Sequence, residues 1–280
     1  MNNIGLVLKR SEDKALELGK KVSRFIRHSG RKVLLEPECK DLAESWDAVV
    51  ADRISDESDL LVVLGGDGTI LRAAHLLNAK PTPVLGINLG RVGYMAEIGP
   101  TEAVDELEAV LRGEDVRSER IMLEVSLPDG QVSRVLNDVV IHWGRMARLI
   151  DLGIRMGEAE EIDLRADGLI VSTPIGSSAY SYAAGGPLIH PDMEGILLTP
   201  ICPYAGLERA LVVPSEMKIE LLLKRGEELT LTLDGHTTFN LDVDQSVRIC
   251  RAALPFIMIK SRVRNYFDVL KEKLGFTARG

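Results

Sequence analysis

The chain is expected to fold as an α/β domain followed by a β-rich domain. Three observations predict this. Wholly apolar runs of strand length alternate with helical patterns as far as residue 111. Short strand patterns punctuated by Gly, Pro and Asp crowd the stretch after Arg120. A length of 280 residues, at ~150 per domain, leaves room for about two domains.

Taken in order, Ile4–Leu8 is a short apolar run and a candidate buried strand. Residues 11–29 carry Leu16, Leu18, Val22, Phe25 and Ile26 at helical spacing, and Gly30 is a plausible stop. Lys32–Leu35 reads as a second strand, and Leu60–Leu64 as a third with no polar interruption. Ile70–Leu77 reads as a helix and Pro83–Ile87 as a strand. Glu102–Leu111 reads as a helix with Val104, Leu107 and Leu111 on one face. Apolar strands alternating with helices argue for a parallel sheet covered on both faces. Beyond Arg120, Met122–Leu127 sets Glu124 and Ser126 opposite its apolar residues and runs into the turn Pro128-Asp129-Gly130. Strand patterns follow at Val132–Ile141, Ile150–Met156, Ile162–Leu164, Leu169–Thr173, Met217–Leu223, Glu228–Leu233 and Val247–Cys250. Val263–Leu274 reads as a closing helix. The expected boundaries are 1–120 for the α/β domain and 121–255 for the β-rich domain. Residues 256–280 form a C-terminal segment whose helix returns to the first domain.

Composition narrows the function. Apolar residues make up 45% and charged residues 27%, which excludes a mainly disordered or collagenous chain. Aromatics are only 4%, so the core is aliphatic. The net charge of −8 makes a general nucleic-acid binder a poor reading, because the field repels phosphate backbones before local contacts form. A polyanionic ligand must therefore be held by local devices. Cys39, Cys202 and Cys250 lie far apart with no Cys-x-x-Cys, so they read as small core residues of a reducing compartment. No basic segment followed by a long apolar stretch opens the chain, and no run approaches the ~18 residues of a membrane helix. A cytoplasmic protein with no membrane partner is the expectation.

The sharpest motif is Gly65-Gly66-Asp67-Gly68-Thr69, between the strand ending at Leu64 and the helix that follows. A glycine-rich turn at a helix start lets ligand oxygens approach backbone N–H groups at the positive end of the helix. Gly65, Gly66, Gly68 and Thr69 are the phosphate-binding candidates. Asp67 has no use in a pure phosphate cradle, whereas a base facing an attacking hydroxyl does, as does a ligand for a phosphate-bound metal ion. A plain helix cap is the bland alternative, and the flanking glycines and strand–helix context weigh against it. Arg72, one turn into the helix, can reach an anion near the loop. Neither a Gly-x-x-x-x-Gly-Lys-[Ser/Thr] loop, a Gly-x-Gly-x-x-Gly after the first strand, a His-Glu-x-x-His nor a Gly-x-Ser-x-Gly is present. Asn137-Asp138 pairs an amide with a carboxylate, which suits adjacent ribose hydroxyls that each donate and accept. Ser177, Ser178, Ala179 and Tyr180 offer hydroxyls, backbone and one flat ring for an adenine. Of the histidines, His142 and His190 read as filling the β-domain and His236 as the one near a ligand.

Gly65–Arg72 resembles the glycine-rich motif of NAD kinases, which 6-phosphofructokinases and the diacylglycerol and sphingosine kinases share in looser form. Further segments resemble the NAD kinase family in order: Gly86–Tyr94, its second glycine segment; Leu136–Val140, its Asn-Glu/Asp motif; Asp167–Pro191, its longest motif; and Asp234-Gly235-His236, its short turn. The resemblance runs from about residue 4 to about residue 275. Ile175 and Ser178 stand where the family usually has Thr, and His236 where Gln is common. The implied fold is a Rossmann-like α/β domain with a β-sandwich-like second domain and the site in the cleft between them. The implied reaction is phosphorylation of the 2′-hydroxyl on the adenosine ribose of NAD by ATP or polyphosphate, giving NADP, with Asp67 as base and Mg²⁺ entering with the nucleotide rather than in a protein metal site. NAD contacts carried over are Gly68, Arg72, Asn137, Asp138, Arg148, Arg165, Asp167, Ser178, Ala179, Tyr180, Ser181, Tyr182, Ala183 and His236. The residue matching Asp167 often completes a neighbouring subunit's site, which implies a homotetramer or homodimer. A related glycine-loop kinase acting on a lipid or sugar phosphate, and a non-catalytic dinucleotide sensor, are the alternatives. Asp67 separates the sensor, which has no reason to keep a base beside a phosphate cradle.

Overall fold

The computed structural model describes residues 1–77, 80–90, 93–143, 149–225 and 229–275. Arg91, Val92 and Glu228 of the patterns above lie outside them. The chain divides into two compact units, Met1–Glu119 with Phe256–Gly280, and Arg120–Pro255.

The first unit is built on a seven-stranded sheet in the order Val49–Val50, Lys32–Leu35, Asn3–Leu8, Leu60–Leu64, Val84–Ile87, Phe256–Ile259 and Arg117–Arg120. The first six of these run parallel, with Ile4 opposite Leu60 and Leu8 opposite Leu64. Leu60–Leu64 is buried on both faces, which is why it carries no alternation. Helix Asp13–His28 buries Ala15, Gly19, Val22 and Ile26, one stripe at spacings of three and four. Phe25, Leu16 and Leu18 pack at its margin. Helix Ala103–Arg112 buries Leu107 and Val110 and ends at Gly113 with φ 77°, a left-handed stop.

Two findings modify the sequence reading of the C-terminal segment. Phe256–Ile259 is a strand, with Met258 opposite Val84, although four apolar residues carry no readable period. The last helix spans Tyr266–Leu274, later than the apolar pattern beginning at Val263. Asn265 sets the start: its side chain accepts the N–H groups of Phe267 (2.9 Å) and Asp268 (3.2 Å), and Asp268 accepts the N–H of Asn265 (3.1 Å).

The second unit stacks two sheets around one aliphatic core. The seven-stranded sheet runs Ala205–Gly206, Ile162–Ala166, Ile150–Met156, Ile219–Arg225, Ser246–Arg251, Leu123–Ser126, Val132–Val135. The six-stranded sheet runs Leu211–Pro214, Gly195–Ile201, Gly168–Ser172, Asp138–Trp143, Leu229–Leu233, Thr237–Leu241. Ile150, Ile154 and Leu221 from the first meet Val139, Ile141, Leu169 and Leu231 from the second. The single strand read at Val132–Ile141 is two strands in different sheets, and the chain changes sheet at Leu136-Asn137. The cysteine reading is corrected in part: Cys39 is buried, Cys250 half-buried, and Cys202 exposed at a left-handed φ of 45° just beyond strand Gly195–Ile201.

Candidate functional site

The second unit carries a cavity of about 440 Å³ against its six-stranded sheet. Asp138, Val140 and His142 alternate along strand Asp138–Trp143 and so present one face to it. Thr232, in register with Val140 on the next strand, adds a hydroxyl to the lining. Ala179 and Tyr180 close another wall, and Asn137 with the Asp234-Gly235 turn completes it.

The break between sheets forms this wall, and Asp234 makes the break. Its carboxylate is buried and accepts three consecutive backbone N–H groups, from Leu136 (3.0 Å), Asn137 (2.7 Å) and Asp138 (3.2 Å). Its own N–H donates to the Asp138 carbonyl at 2.9 Å. Those three donors would otherwise enter a ladder. Captured by one carboxylate, they turn the chain instead. Asp234 itself sits at φ 48°, a left-handed conformation that Asp tolerates better than most residues. Gly176 lies tight behind the turn: a Cβ there would stand 2.1 Å from the Asn137 carbonyl oxygen.

The chemistry of the wall follows. Burial, aided by the like charge of Asp234, pushes the Asp138 carboxyl up to about 7. Asn137 Oδ1 is buried without a hydrogen-bond partner, and so is Ser172 Oγ on the strand position opposite Asp138. The Asn137 amide and the Asp138 carboxyl, both in the lining of one cavity, are what a ligand rich in hydroxyls would satisfy. The His142 Nδ1 donates to the Trp143 carbonyl (2.7 Å). His236 does the same toward the Asp234 carbonyl at 2.6 Å.

The first unit holds the glycine loop. Helix Asp67–Leu76 begins one residue after its cap, Gly66. The Asp67 carboxylate accepts the backbone N–H groups of Tyr94 (2.9 Å), Met95 (3.1 Å) and Ala96 (3.2 Å). A carboxylate offers about four lone-pair directions, so this cradle aims Asp67 while leaving one free. Gly93 is required by the close approach, since a Cβ there would lie 2.0 Å from Asp67 Oδ1. Gly66 and Gly68 face open space. Thr69 donates its N–H to the Gly66 carbonyl (2.9 Å), whereas among the described residues the N–H groups of Asp67 and Gly68 have no backbone acceptor and point to the same end.

The remaining sequence candidates fall in several places. Gly65 donates its N–H to the Ile87 carbonyl (3.0 Å), so that donor ends the ladder between Leu60–Leu64 and Val84–Ile87 rather than serving a phosphate. Thr69 is buried with its hydroxyl packed over Gly65. Arg72 pairs with the buried Glu36 and donates to the Leu8 carbonyl at 2.9 Å, an internal tie of the unit. Ser178 bonds the Ile175 carbonyl (3.0 Å). Ser181 is fully buried with its hydroxyl on Thr199 (2.8 Å), behind the cavity wall. Tyr182 and Ala183 are exposed on the short helix Tyr180–Ala183. Arg165 and Asp167 are not in the cavity lining. Arg165 reaches Asp151 (3.4 Å), lies 5.9 Å from the Tyr204 ring centre and lines a separate cavity. Asp167 donates its N–H to the Ile201 carbonyl. Arg148 lies outside the described residues. His142, read from sequence as filler, faces the cavity instead. Strand alternation from Asp138 was the signal for it, whereas nothing local announces Thr232.

Comparison with known proteins agrees with these motifs. Residues 4–115 match the model of the ATP-NAD kinase N-terminal domain, and residues 136–261 that of the ATP-NAD kinase C-terminal domain. The chain is 38% identical over 285 residues to the NAD kinase of Geotalea daltonii, and 37% over 284 residues to that of Geobacter sulfurreducens, with 100% of both chains covered in each case. Among solved structures it resembles yeast NADH kinase complexed with NADH, with TM-score 0.89, 25% identity, and coverage of 100% of this chain and 89% of that one. It also resembles an NAD kinase from Archaeoglobus fulgidus in complex with ATP, with TM-score 0.77, 27% identity, and coverage of 97% and 99%. With its glycine loop, its Asn-Asp turn and both domains matched along the full length, the chain belongs to the NAD kinase family of phosphotransferases.

Proposed function

We propose that the chain transfers the terminal phosphoryl group of ATP to the 2′-hydroxyl of the adenosine ribose of NAD, releasing ADP and NADP. Asp67 takes the hydroxyl proton as the new O–P bond forms and the bond to the ADP oxygen breaks. The observation that carries this reading is the Asp67 carboxylate, aimed by three backbone N–H groups beside two open glycine positions at a helix start. Asn137 and Asp138 hold the ribose hydroxyls, Ala179 and Tyr180 the adenine, and the first-turn N–H groups around Gly66 and Gly68 receive phosphate. Residues 1–120 with the C-terminal segment supply the base and phosphate device, and residues 121–255 the dinucleotide.

Mg²⁺ accompanies the nucleotide. Among the described residues no group of three or more His, Cys, Asp or Glu side chains is placed to hold a metal ion. Its contribution when bound is neutralisation of phosphate charge.

The test is NADP formation by purified protein with Mg²⁺, offering ATP or polyphosphate as donor and NAD or NADH as acceptor. Fructose 6-phosphate and diacylglycerol serve as competing acceptors. Turnover of either competitor at a rate equal to NAD would overturn the reading.

Assembly belongs to the same proposal. Neither Arg165 nor Asp167 is in the lining of the cavity their own chain forms, which suits residues that complete a neighbour's site. A homotetramer or homodimer follows, acting in the cytoplasm. Among the described residues no helix is long and apolar enough to cross a membrane. Specific activity is expected to fall on dilution below the dissociation constant of the oligomer. Light scattering during turnover checks this, and a fully active monomer would refute it.

A further inference from the structure

The Asp234 carboxylate contacts three successive amides of the very segment that forms the cavity wall, and it lines the cavity itself. We propose that Asp234 is a positioning residue for the dinucleotide: it holds the Leu136–Asp138 backbone so that Asn137 and Asp138 line the cavity, and its charge makes ligand binding displace a proton from Asp138. This rests on the reading of the cavity as the adenosine-ribose site.

Two observations beyond the clamp support it. Among the described residues no hydrogen bond reaches the Asp138 carboxyl, so none of their donors competes with a ligand there, whereas its backbone N–H and C=O are both engaged by Asp234. Asn137 Oδ1, carried by the same clamped backbone, is buried and unpartnered. Among the described residues, four groups face Asp138. Asp234 comes from the turn after Leu229–Leu233, His142 from its own strand, Tyr180 from the short helix, and neutral Ser172 from the opposite strand. His236 bonds the Asp234 carbonyl and lies beyond it. None of these is a permanent cation. In the free protein the Asp138 proton is therefore held by burial and by the neighbouring carboxylate, and its release point is about 7.

A ribose hydroxyl donating to Asp138 favours the ionised carboxylate, so the proton leaves to solvent as the ligand enters. Binding to the ionised form alone weakens tenfold per pH unit below the release point and levels above it. Removing the Asp234 charge lowers the release point. It also loosens the clamp, because one face of an amide at 234 presents N–H donors to N–H donors.

The experiment is calorimetric titration of NAD between pH 5.5 and 8.5, in buffers of differing ionisation enthalpy, on the native protein, Asp138→Asn and Asp234→Asn. Infrared difference spectra of the ligand-free proteins follow the carboxyl titration directly. For the native protein the affinity is expected to rise about tenfold per unit up to a midpoint near 7, with close to one proton released below it. Asp138→Asn is expected to bind more weakly and without pH dependence. Asp234→Asn is expected to move the midpoint down by about a unit or more and to weaken binding at pH 8.5. Should Asp234→Asn fail to fold, the Asp138→Asn profile still decides the proton release. NAD that binds the native protein with no pH dependence overturns the inference and leaves the NAD reading standing. An unchanged midpoint and affinity in folded Asp234→Asn removes Asp234 from the site's working parts. NAD that fails to bind at any pH sinks both readings, even if the infrared titration falls near 7.

Discussion

Asp67 and Asp138 are both carboxylates in polar walls, and their surroundings give them different work. Asp67 is surrounded by N–H donors, which fix its direction and leave one lone pair. Asp138 is buried beside a carboxylate neighbour, and among the described residues no donor reaches its carboxyl, which makes its charged form expensive. For Asp67→Asn, kcat is expected to fall ~10²–10⁴-fold, the ordinary contribution of a general base. NAD affinity should change by less than about tenfold, because Asn137, Asp138 and Tyr180 persist. Steady-state kinetics beside calorimetry on one preparation checks this. A kcat within about a factor of three of native makes Asp67 an anchor for the Tyr94–Ala96 backbone rather than a base. Gly93→Ala tests the cradle without touching the carboxylate. Its methyl would stand where Asp67 Oδ1 sits, so kcat is expected to drop at least tenfold with the far-ultraviolet circular dichroism unchanged, since misplacing a reacting group by about 1 Å costs on that order or more.

At the scale of elements, the strip Tyr94–Glu97 lies between the glycine loop and the C-terminal segment of its own unit. One side gives its N–H groups to Asp67. On the other, Arg264 donates to the Glu97 carbonyl (2.8 Å), Ser261 N–H reaches the Glu97 carboxylate (3.4 Å), and the Lys273 ammonium lies 5.5 Å from the Tyr94 ring centre. The strand and helix at the chain's end thus brace the cradle of a residue far from them in sequence. Arg264→Ala is expected to lower kcat about tenfold while leaving NAD affinity within about twofold, a split that belongs to positioning rather than to binding. Arg264→Lys, which keeps a donor toward Glu97, should restore part of the loss. An Arg264→Ala variant with native kcat would show that the strip holds Asp67 without help from the chain's end.

For the molecule as a whole, the site carries a stability penalty that depends on pH. The Asp138 proton is released at about 7 in the folded protein, above the ordinary carboxylate value of 3.8. The folded state therefore holds a proton that the unfolded chain releases, so this contribution is fully favourable below about 4 and is lost as the pH rises through about 7. Asp138→Asn removes the penalty. The variant is expected to be more stable than native by ~2–4 kcal/mol at pH 8 and by under ~1 kcal/mol at pH 4. Denaturant midpoints at the two pH values measure it, and equal differences at both would refute it. A gain in stability with a loss in NAD affinity is the trade expected at a binding site.

Much of this protein is written locally. The parallel-sheet strands are apolar because both faces are covered, and Leu60–Leu64 shows this without reference to anything distant. The glycine loop is legible because a close backbone approach needs missing side chains at fixed offsets, and Asn137-Asp138 because its two side chains have complementary hydrogen-bonding groups. The two-domain texture follows from the change of period near residue 120. Other features belong to contacts that sequence order hides. The Val132–Ile141 pattern splits because Asp234, 98 residues from Leu136, captures the N–H groups at the break. Thr232 joins the cavity through strand register, and Arg72 is tied to Glu36 by the fold of the first unit. The Asp138 proton is held by burial and by a charge 96 residues away. Local pattern determined which elements form and where a phosphate and a hydroxyl-rich ligand have chemical partners, because propensity, glycine geometry and side-chain chemistry act over a few residues. Tertiary structure alone decided which carboxylate is aimed, which is neutralised and which holds the turn, because burial and Coulomb interaction depend on distance in space.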